Sequence, residues 1–242
     1  SDTHVSFDPY NANKFLIVYN DGNGKALIGT VSGTSATFGS VTTFSTATST
    51  QIELRFHPSQ AGKFVVAYKT NKGYVAIATT SGANITFGTP VTFTNGSYSY
   101  SAAFDPNSSN IVVAFSDSTN GMFGTAIVGA VSGTTITFGT KVVHTTAYCG
   151  KNKIIFDPYG TAGKFVICTN DETTNPSGYQ GGIITGTISG TSATFGTASV
   201  FDVPTRFPRF AFNPSNIGEF VVVYSPTYMT NGKAIVGQIG GD

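Results

Sequence analysis

Short apolar runs alternate with turn residues along the whole chain, and no stretch carries an apolar period of 3.6 residues. One set of runs reads KFLIVY from Lys14, KFVVAY from Lys63, NIVVAF from Asn110, KFVICT from Lys164 and EFVVVY from Glu219. A second reads ALIGTV from Ala26, VAIATT from Val75, AIVGAV from Ala126, IITGTI from Ile183 and AIVGQI from Ala234. Runs of this length, rich in β-branched and aromatic residues and bounded by Gly, Pro, Asn and Asp, predict strands. Before each pair stands an F-x-P element, beginning at Phe7, Phe56, Phe104, Phe156 and Phe212, with spacings of 49, 48, 52 and 56 residues. After the first four pairs comes T-F-G, at Thr37, Thr86, Thr137 and Thr194, leading into a short alternating strand such as Thr89 to Phe93.

Each repeat is thus four short strands, a to d. The a–b turn is built on Asp-Pro or Asn-Pro, the c–d turn on Ser-Gly, where glycine supplies a positive φ without a Cβ penalty. A period near 50 residues with four strands per copy predicts an all-β, five-bladed β-propeller of four-stranded antiparallel blades. The whole chain, 1–242, is then a single domain with blades at roughly 1–44, 45–93, 94–144, 145–201 and 202–242. A fibre-like stack of small β units is the alternative. The chain opens on strand a (Thr3 to Phe7) and stops after strand c at Gly240-Gly241-Asp242, so one blade lacks its fourth strand. An open strand edge invites pairing, and a neighbouring protein segment, by domain swap or from a partner chain, is expected to complete it.

Spacing locates the variable loops. From the strand c landmark to T-F-G is always 8 residues, and from T-F-G to the next F-x-P is 18 or 19. From F-x-P to the c landmark it is 22, 22, 25, 30 and 25, so insertion concentrates in the b–c loops. Up-and-down strands put b–c and d–a loops at one end, and insertions confined to one end mark a candidate binding face. Both methionines, Met122 and Met229, lie there beside Phe123 and Tyr228, with Tyr179 in the longest loop. The candidate ligand-binding residues are Asp21, Asn23, Asn71, Asp117, Asn120, Asp171, Glu172, Tyr179, Arg206, Tyr228 and Asn231.

Composition narrows the partner. Charged residues are 10% of the chain and net charge is +1, with no basic stripe for phosphates and no polybasic patch for a membrane surface. Neither nucleic acid nor membrane is an expected partner. Three acidic residues, Asp8, Asp105 and Asp157, recur at one turn position that holds His57 and Asn213 in the other copies, which reads as turn chemistry. Asp171 and Glu172 are adjacent in a b–c loop and could serve a glycosidase pair or a cation, or be a solvated pair. Asp21-Gly-Asn-Gly and Asp117-Ser-Thr-Asn-Gly could hold Ca²⁺ or simply turn the chain. His4, His57 and His144 occupy unrelated repeat positions, so no triad or metal site is expected, and no cofactor. Cys149 and Cys168 either pair near one end of a hairpin or stay free and buried.

The string GKALIGTVSGTSATFG from Gly24, echoed by GTAIVGAVSGTTITFGT from Gly124, resembles a repeat of tail-fibre-like and other virion proteins of marine bacteriophages and of some bacterial surface proteins. The blade number is similar to that of tachylectin-type five-bladed lectins, which bind amino sugars between blades. With Trp absent, Tyr or Phe would supply a sugar platform. The resemblance implies a recognition module on a virion or extracellular surface that binds a glycan or receptor through the b–c and d–a loops. A structural or assembly role is the alternative, a glycosidase the third. No catalytic residue is identified, and the expectation is a chain without enzymatic activity.

Overall fold

The computed structural model describes residues 3–160, 163–171, 179–226 and 231–239, with Tyr98 and Asp171 described by backbone alone. The chain forms two compact units, Ser1–Gly96 with Val131–Thr137, and Ser97–Ala130 with Phe138–Asp242. Every described element is a strand. The first sheet holds β1 (Thr3–Phe7), β2 (Lys14–Asn20), β3 (Gly24–Ser32), β4 (Ser35–Phe38) and β5 (Thr42–Ser45). The second holds β6 (Thr50–Phe56), β7 (Lys63–Lys69), β8 (Gly73–Ser81), β9 (Asn84–Phe87) and β10 (Val91–Thr94). The third, of nine strands, begins with β11 (Ser97–Phe104), β12 (Asn110–Asp117), β13 (Phe123–Ser132) and β14 (Thr135–Phe138). It continues through β15 (Val142–Phe156), β16 (Lys164–Asp171), β17 (Gln180–Ser189), β18 (Ser192–Phe195) and β19 (Ser199–Asp202). The last sheet has three strands, β20 (Arg206–Phe212), β21 (Glu219–Ser225) and β22 (Lys233–Gln238).

Strands a, b and c of each repeat pair in sequence order and antiparallel, as the spacing predicts. Two details differ. Strand d comes in two pieces on the same partner: β4 pairs the C-terminal half of β3 and β5 its N-terminal half. The T-F-G glycine sits at the break, where Gly39 N–H still donates to Ile28 O (2.8 Å), as Gly88, Gly139 and Gly196 donate to Ile77, Val128 and Thr185. Second, β15 serves as strand d of one repeat and strand a of the next. Its midsection, Thr145-Thr-Ala-Tyr-Cys149, has none of the turn residues found at Asn95-Gly96 and Pro204 in the second and fourth d–a connections, although the first, Thr46-Ala-Thr-Ser49, breaks without them.

All five a–b turns close the same way. Asp8 Oδ1 accepts from Tyr10 N–H (2.9 Å), Asp105 Oδ1 from Asn107 N–H (3.0 Å), Asp157 Oδ1 from Tyr159 N–H (3.0 Å) and Asn213 Oδ1 from Ser215 N–H (2.9 Å). In the remaining copy the His57 ring Nδ1 takes the N–H of Ser59 (3.2 Å). An imidazole nitrogen two bonds from Cβ reproduces the carboxylate geometry, which is why histidine can hold an Asp position.

Within each unit consecutive repeats stack face on face. Leu16, Val18, Ala26 and Ile28, the forward face of the first sheet, form one core with Leu54, Phe64, Val66, Ala76 and Ala78, the rear face of the second. Val112, Ala114, Ala126 and Val128 meet Ile154, Phe156, Phe165 and Ile167 in the same way, and Val166 and Cys168 meet Phe220, Val222 and Tyr224. A fully buried side chain of this size contributes about 1.5–3 kcal/mol, against roughly 1 kcal/mol net for a turn hydrogen bond. Face packing therefore dominates.

The rear faces are aromatic ladders. The Phe of F-x-P, the strand b Phe and the Phe of T-F-G lie side by side: Phe56–Phe64 at 5.8 Å and Phe64–Phe87 at 5.7 Å, Phe156–Phe165 at 5.3 Å and Phe165–Phe195 at 5.8 Å. The central ring rests on a cross-strand glycine: a Cβ on Gly29, Gly186 or Gly237 would come within 2.1–2.3 Å of Phe15, Phe165 or Phe220. T-F-G glycines make a second close approach. A Cβ on Gly139 would stand 2.1 Å from the Thr191 carbonyl oxygen, in the c–d turn of the following repeat. At Gly196 the nearest atom, at 2.8 Å, is the Thr185 hydroxyl, which can rotate away. Gly139→Ala should therefore destabilise the protein by about 2 kcal/mol and Gly196→Ala by well under half of that, measured by denaturant unfolding.

Candidate functional site

The b–c and d–a loops of one repeat lie together, as the strand order requires. In the first repeat Asn20 Oδ1 accepts from Ser49 N–H (3.2 Å), Thr48 Oγ1 donates to Gly22 O (3.3 Å), and the Asn23 amide, with its nitrogen toward Thr46, donates to Thr46 O (2.8 Å). Asp21 carries an ion pair to Lys25 (2.7 Å). That ammonium holds the Asp21 carboxyl below its ordinary range. Asn71 is exposed, its Oδ1 accepting from Thr70 Oγ1 (2.9 Å). These candidates stitch or decorate turns.

Asp117 is buried and fully engaged: Oδ1 accepts from Thr119 N–H (3.0 Å) and Oγ1 (2.6 Å), Oδ2 from Lys141 Nζ (2.9 Å). Burial alone would raise its pKa, but the Thr119 hydroxyl and the Lys141 ammonium outweigh it and the net shift is downward. Lys141 also stands 5.2 Å from the Phe115 ring. Asn120 is exposed and closes the turn through its backbone. Neither Asp-containing turn assembles an oxygen cage, and no cluster of three His, Cys, Asp or Glu exists among the described residues.

The strongest convergence lies where the last two repeats meet. Tyr179, ahead of β17, has the Arg206 guanidinium over its ring at 4.2 Å, and Thr205 N–H donates to Tyr179 O (2.5 Å). Thr205 Oγ1 in turn donates to Asp202 O (3.0 Å). The Asp202 carboxylate accepts from Lys233 Nζ (2.8 Å), Tyr224 Oη (2.7 Å) and Val203 N–H (2.8 Å). Lys233 and Tyr224 together lower the Asp202 pKa, while burial and that carboxylate push Tyr224 up to about 12. The Lys233 side chain is 53% exposed, leaving ammonium hydrogens open to solvent. Beside this network opens a depression of about 480 Å³ lined by Phe207, Val223, Tyr224, Ser225, Gly232, Lys233 and Ala234.

Of the sequence candidates, Tyr179 and Arg206 are thus brought together, and Asn231 is exposed just before Lys233. The Asp171 backbone pairs with Gln180 and Cys149. The Asp171 side chain, Glu172, Tyr228 and Met229 lie outside the described residues. Sequence reasoning missed Asp202, Tyr224, Phe207 and Lys233. Repeat alignment through strand d would have found the first: Asp202 stands where the other copies have Ser45, Thr94 and Thr145. The packing beneath it recurs too, with Phe44–Tyr68 at 5.0 Å matching Phe201–Tyr224 at 5.1 Å.

The same alignment explains His144. It occupies the position of Phe44, Phe93 and Phe201, against Phe195 at 5.5 Å and against Gly124, where a Cβ would come within 2.4 Å of the ring. Burial drives its pKa down to about 4, Asn152 opposing. Cys149 and Cys168 are buried free thiols; Cys168 pairs across from Lys153 rather than Cys149, and burial pushes its pKa up to about 12.

No protein family and no curated protein sequence matches the chain. Solved structures do. Sqt1 from Saccharomyces cerevisiae is similar with a TM-score of 0.63 at 13% identity, covering 91% of this chain and 56% of its own. A putative 6-phosphogluconolactonase from Bacteroides uniformis gives 0.60 at 12%, covering 90% and 64%. The N-terminal domain of Nup159 gives 0.51 at 10%, covering 97% and 60%. All are β-propeller-like folds, so the chain has a propeller-type fold and spans about six-tenths of the structures it resembles. The expectation of a chain without enzymatic activity is corrected here. The same fold type carries a lactonase assignment, and propeller loops can gather catalytic groups from several repeats that no linear motif displays.

Because the folded state keeps His144 neutral while the unfolded chain protonates near 6.5, its contribution to stability is full above that pH. It is lost as pH falls toward 4. His144→Phe should gain on the parent by a margin that grows to about 3 kcal/mol between pH 7 and 4, read by urea unfolding across that range.

Proposed function

We propose that the chain is a recognition module, a single five-bladed propeller, that binds a cell-surface glycan or glycosylated receptor through the b–c/d–a loop end of its last two repeats. The observation carrying this reading is the Tyr179–Arg206 stack joined through Thr205 to the Asp202–Tyr224–Lys233 network. Sugars ask for such a mixture: an aromatic surface for their C–H faces and rigid polar groups for their hydroxyls. Asp202 uses its charge to fix Tyr224 and Lys233, the Lys233 side chain is half exposed, and the Arg206 guanidinium adds a second cation over Tyr179. Among the described side chains of the network, two cations face one carboxylate, which favours an acidic sugar over a neutral one.

Nothing in the network resembles a phosphate-tracking stripe, so nucleic acid is not the proposed partner, nor is a membrane. A place on a virion or extracellular surface fits the resemblance of the GKALIGTVSGTSATFG repeat and remains part of the proposal.

A glycan array should give hits enriched in uronate- or sialate-type sugars. Arg206→Ala should weaken the best hit about tenfold or more, and Tyr179→Ala similarly. Asn71→Ala, in a different repeat, should leave it unchanged. A broad array with no hits, or equal loss with all three variants, would overturn the reading.

A further inference from the structure

In the first four repeats strand c carries strand d along its second edge: β3 pairs β4 and β5, β8 pairs β9 and β10, β13 pairs β14 and β15, and β17 pairs β18 and β19. β22 has β21 on one edge and no described strand on the other. The pairing elsewhere keeps one register. The T-F-G phenylalanine stands opposite the strand c landmark, as Phe38 does Gly29 and Phe195 does Gly186. The T-F-G glycine N–H donates to the carbonyl one residue earlier, as Gly39 does to Ile28 and Gly196 to Thr185. In β22 those places fall to Gly237 and Val236. An unpaired row of backbone groups is a template for an added strand.

Two aromatic positions belong to that edge. On the rear face of the first, second and fourth repeats the central ring of the ladder has a neighbour on each side, as Phe64 has Phe56 and Phe87 and Phe165 has Phe156 and Phe195. Phe220 has Phe212 at 5.7 Å on the strand a side and no described ring on the strand d side. On the forward face, a glycine five residues before the landmark seats the ring that closes strand d. A Cβ on Gly24, Gly73 or Gly181 would come within 2.3–2.4 Å of Phe44, Phe93 or Phe201, and one on Gly124 within 2.4 Å of His144. Gly232 is the fifth such glycine, and from its own sheet only Tyr224 O, at 3.7 Å, would approach a Cβ there.

We propose that the second edge of β22 binds an extended segment from outside residues 1–242 that carries Thr-Phe-Gly and a second aromatic six residues after that phenylalanine. The spacing is the chain's own, from Phe38 to Phe44, Phe87 to Phe93 and Phe195 to Phe201. It places one ring beside Phe220 and the other over Gly232. A second copy cannot supply the segment without opening one of its own sheets, because all four strand d segments of the chain are already paired. Backbone pairing gives such a contact its affinity, and the two ring seats on opposite faces give it specificity. The proposal goes beyond the sugar reading and does not rest on it, since its contacts are the β22 backbone and the two seats rather than the Tyr179–Arg206 stack or the Asp202 carboxylate.

The probe is the acetylated synthetic peptide SATFGTASVFD, the chain's own Ser192–Asp202, added to the full 242-residue protein. Hydrogen exchange should show protection that rises with peptide in Lys233–Gln238 and stays unchanged in β3, β8 and β17, whose second edges are filled. Anisotropy of a labelled peptide then gives its Kd. F195A or F201A in the peptide should each weaken binding about tenfold or more, and a scrambled peptide should not bind. Gly232→Val in the protein, which fills one ring seat, should also weaken the parent peptide about tenfold. Should that variant fail to fold, the two peptide variants decide alone. No added protection in β22, or equal binding by the parent, F195A and F201A peptides, overturns the proposal. Protection in β22 that rises with protein concentration in the absence of peptide assigns the edge to a second copy and overturns it as well.

Discussion

The fit of a phenylalanine ring over a glycine on the neighbouring strand sets the terms for everything else in this molecule. With no Cβ at Gly29, Gly186 or Gly237, the strand b rings of Phe15, Phe165 and Phe220 lie against their own sheet. A ring standing upright would hold the next sheet away; a flat one presents an even apolar floor that short side chains can cover. Hence the forward faces are made of Val, Ala, Leu and Ile, and the rear faces set Phe rings among aliphatic side chains such as Leu54, Val66, Ile154 and Ile167. In the second repeat Ala78 takes the glycine position opposite Phe64, so the arrangement tolerates one methyl where the ring can shift.

Stapling at one end of the repeat follows from the same close packing. There Gly39, Gly88 and Gly139 press on the c–d turn of the following repeat, and Lys14 Nζ and Asn110 Nδ2 donate to the turn carbonyls of Gly82 and Gly190, both at 3.0 Å. An insertion at that end would have to displace backbone already in contact. At the b–c end the contacts differ from repeat to repeat, from side-chain bonds such as Asn20 to Ser49 to the Tyr179–Arg206 stack, so length and chemistry vary there. The variation reaches its extreme at Tyr179, Asp202 and Lys233, where a contact that is Tyr68 with Ser45 lower in the chain becomes Tyr224 with a carboxylate.

Period and turn chemistry made the strands readable, because each apolar run is bounded by residues with their own conformational demands. Of the interrupted strand d only the piece after T-F-G was readable; the piece before it was not. Ser35–Phe38 alternates weakly, and a single hydrogen bond from Gly39 carries the pairing across the gap. His144 escaped for a related reason: with strand d not aligned across the copies, a histidine in the slot of Phe44, Phe93 and Phe201 looks like an isolated polar residue. Tyr179 and Arg206 could be nominated singly, since each sits in a loop at the variable end. Their stacking could not, because it depends on how far β20 reaches before the backbone turns at Phe207, whose φ is 52°. The five turn residues show the opposite case. Position alone assigned them, and even the odd member, His57, obeys.

Asp202 shows how a repeat fold creates a site without new architecture. At the equivalent place in the first repeat the Ser45 hydroxyl meets the buried Tyr68; a carboxylate in that position brings a charge into a partly covered place, which is unfavourable unless donors converge on it. Three do, from Tyr224, Lys233 and the Val203 N–H. A carboxylate held this way, with its pKa lowered, is badly placed to exchange protons near neutral pH and well placed to fix the two side chains around it. The net effect is to lock a tyrosine hydroxyl and a lysine ammonium in register with the Tyr179–Arg206 stack. A carboxylate at one strand d position thus makes the place of an interior contact the anchor of a polar network that reaches the half-exposed Lys233.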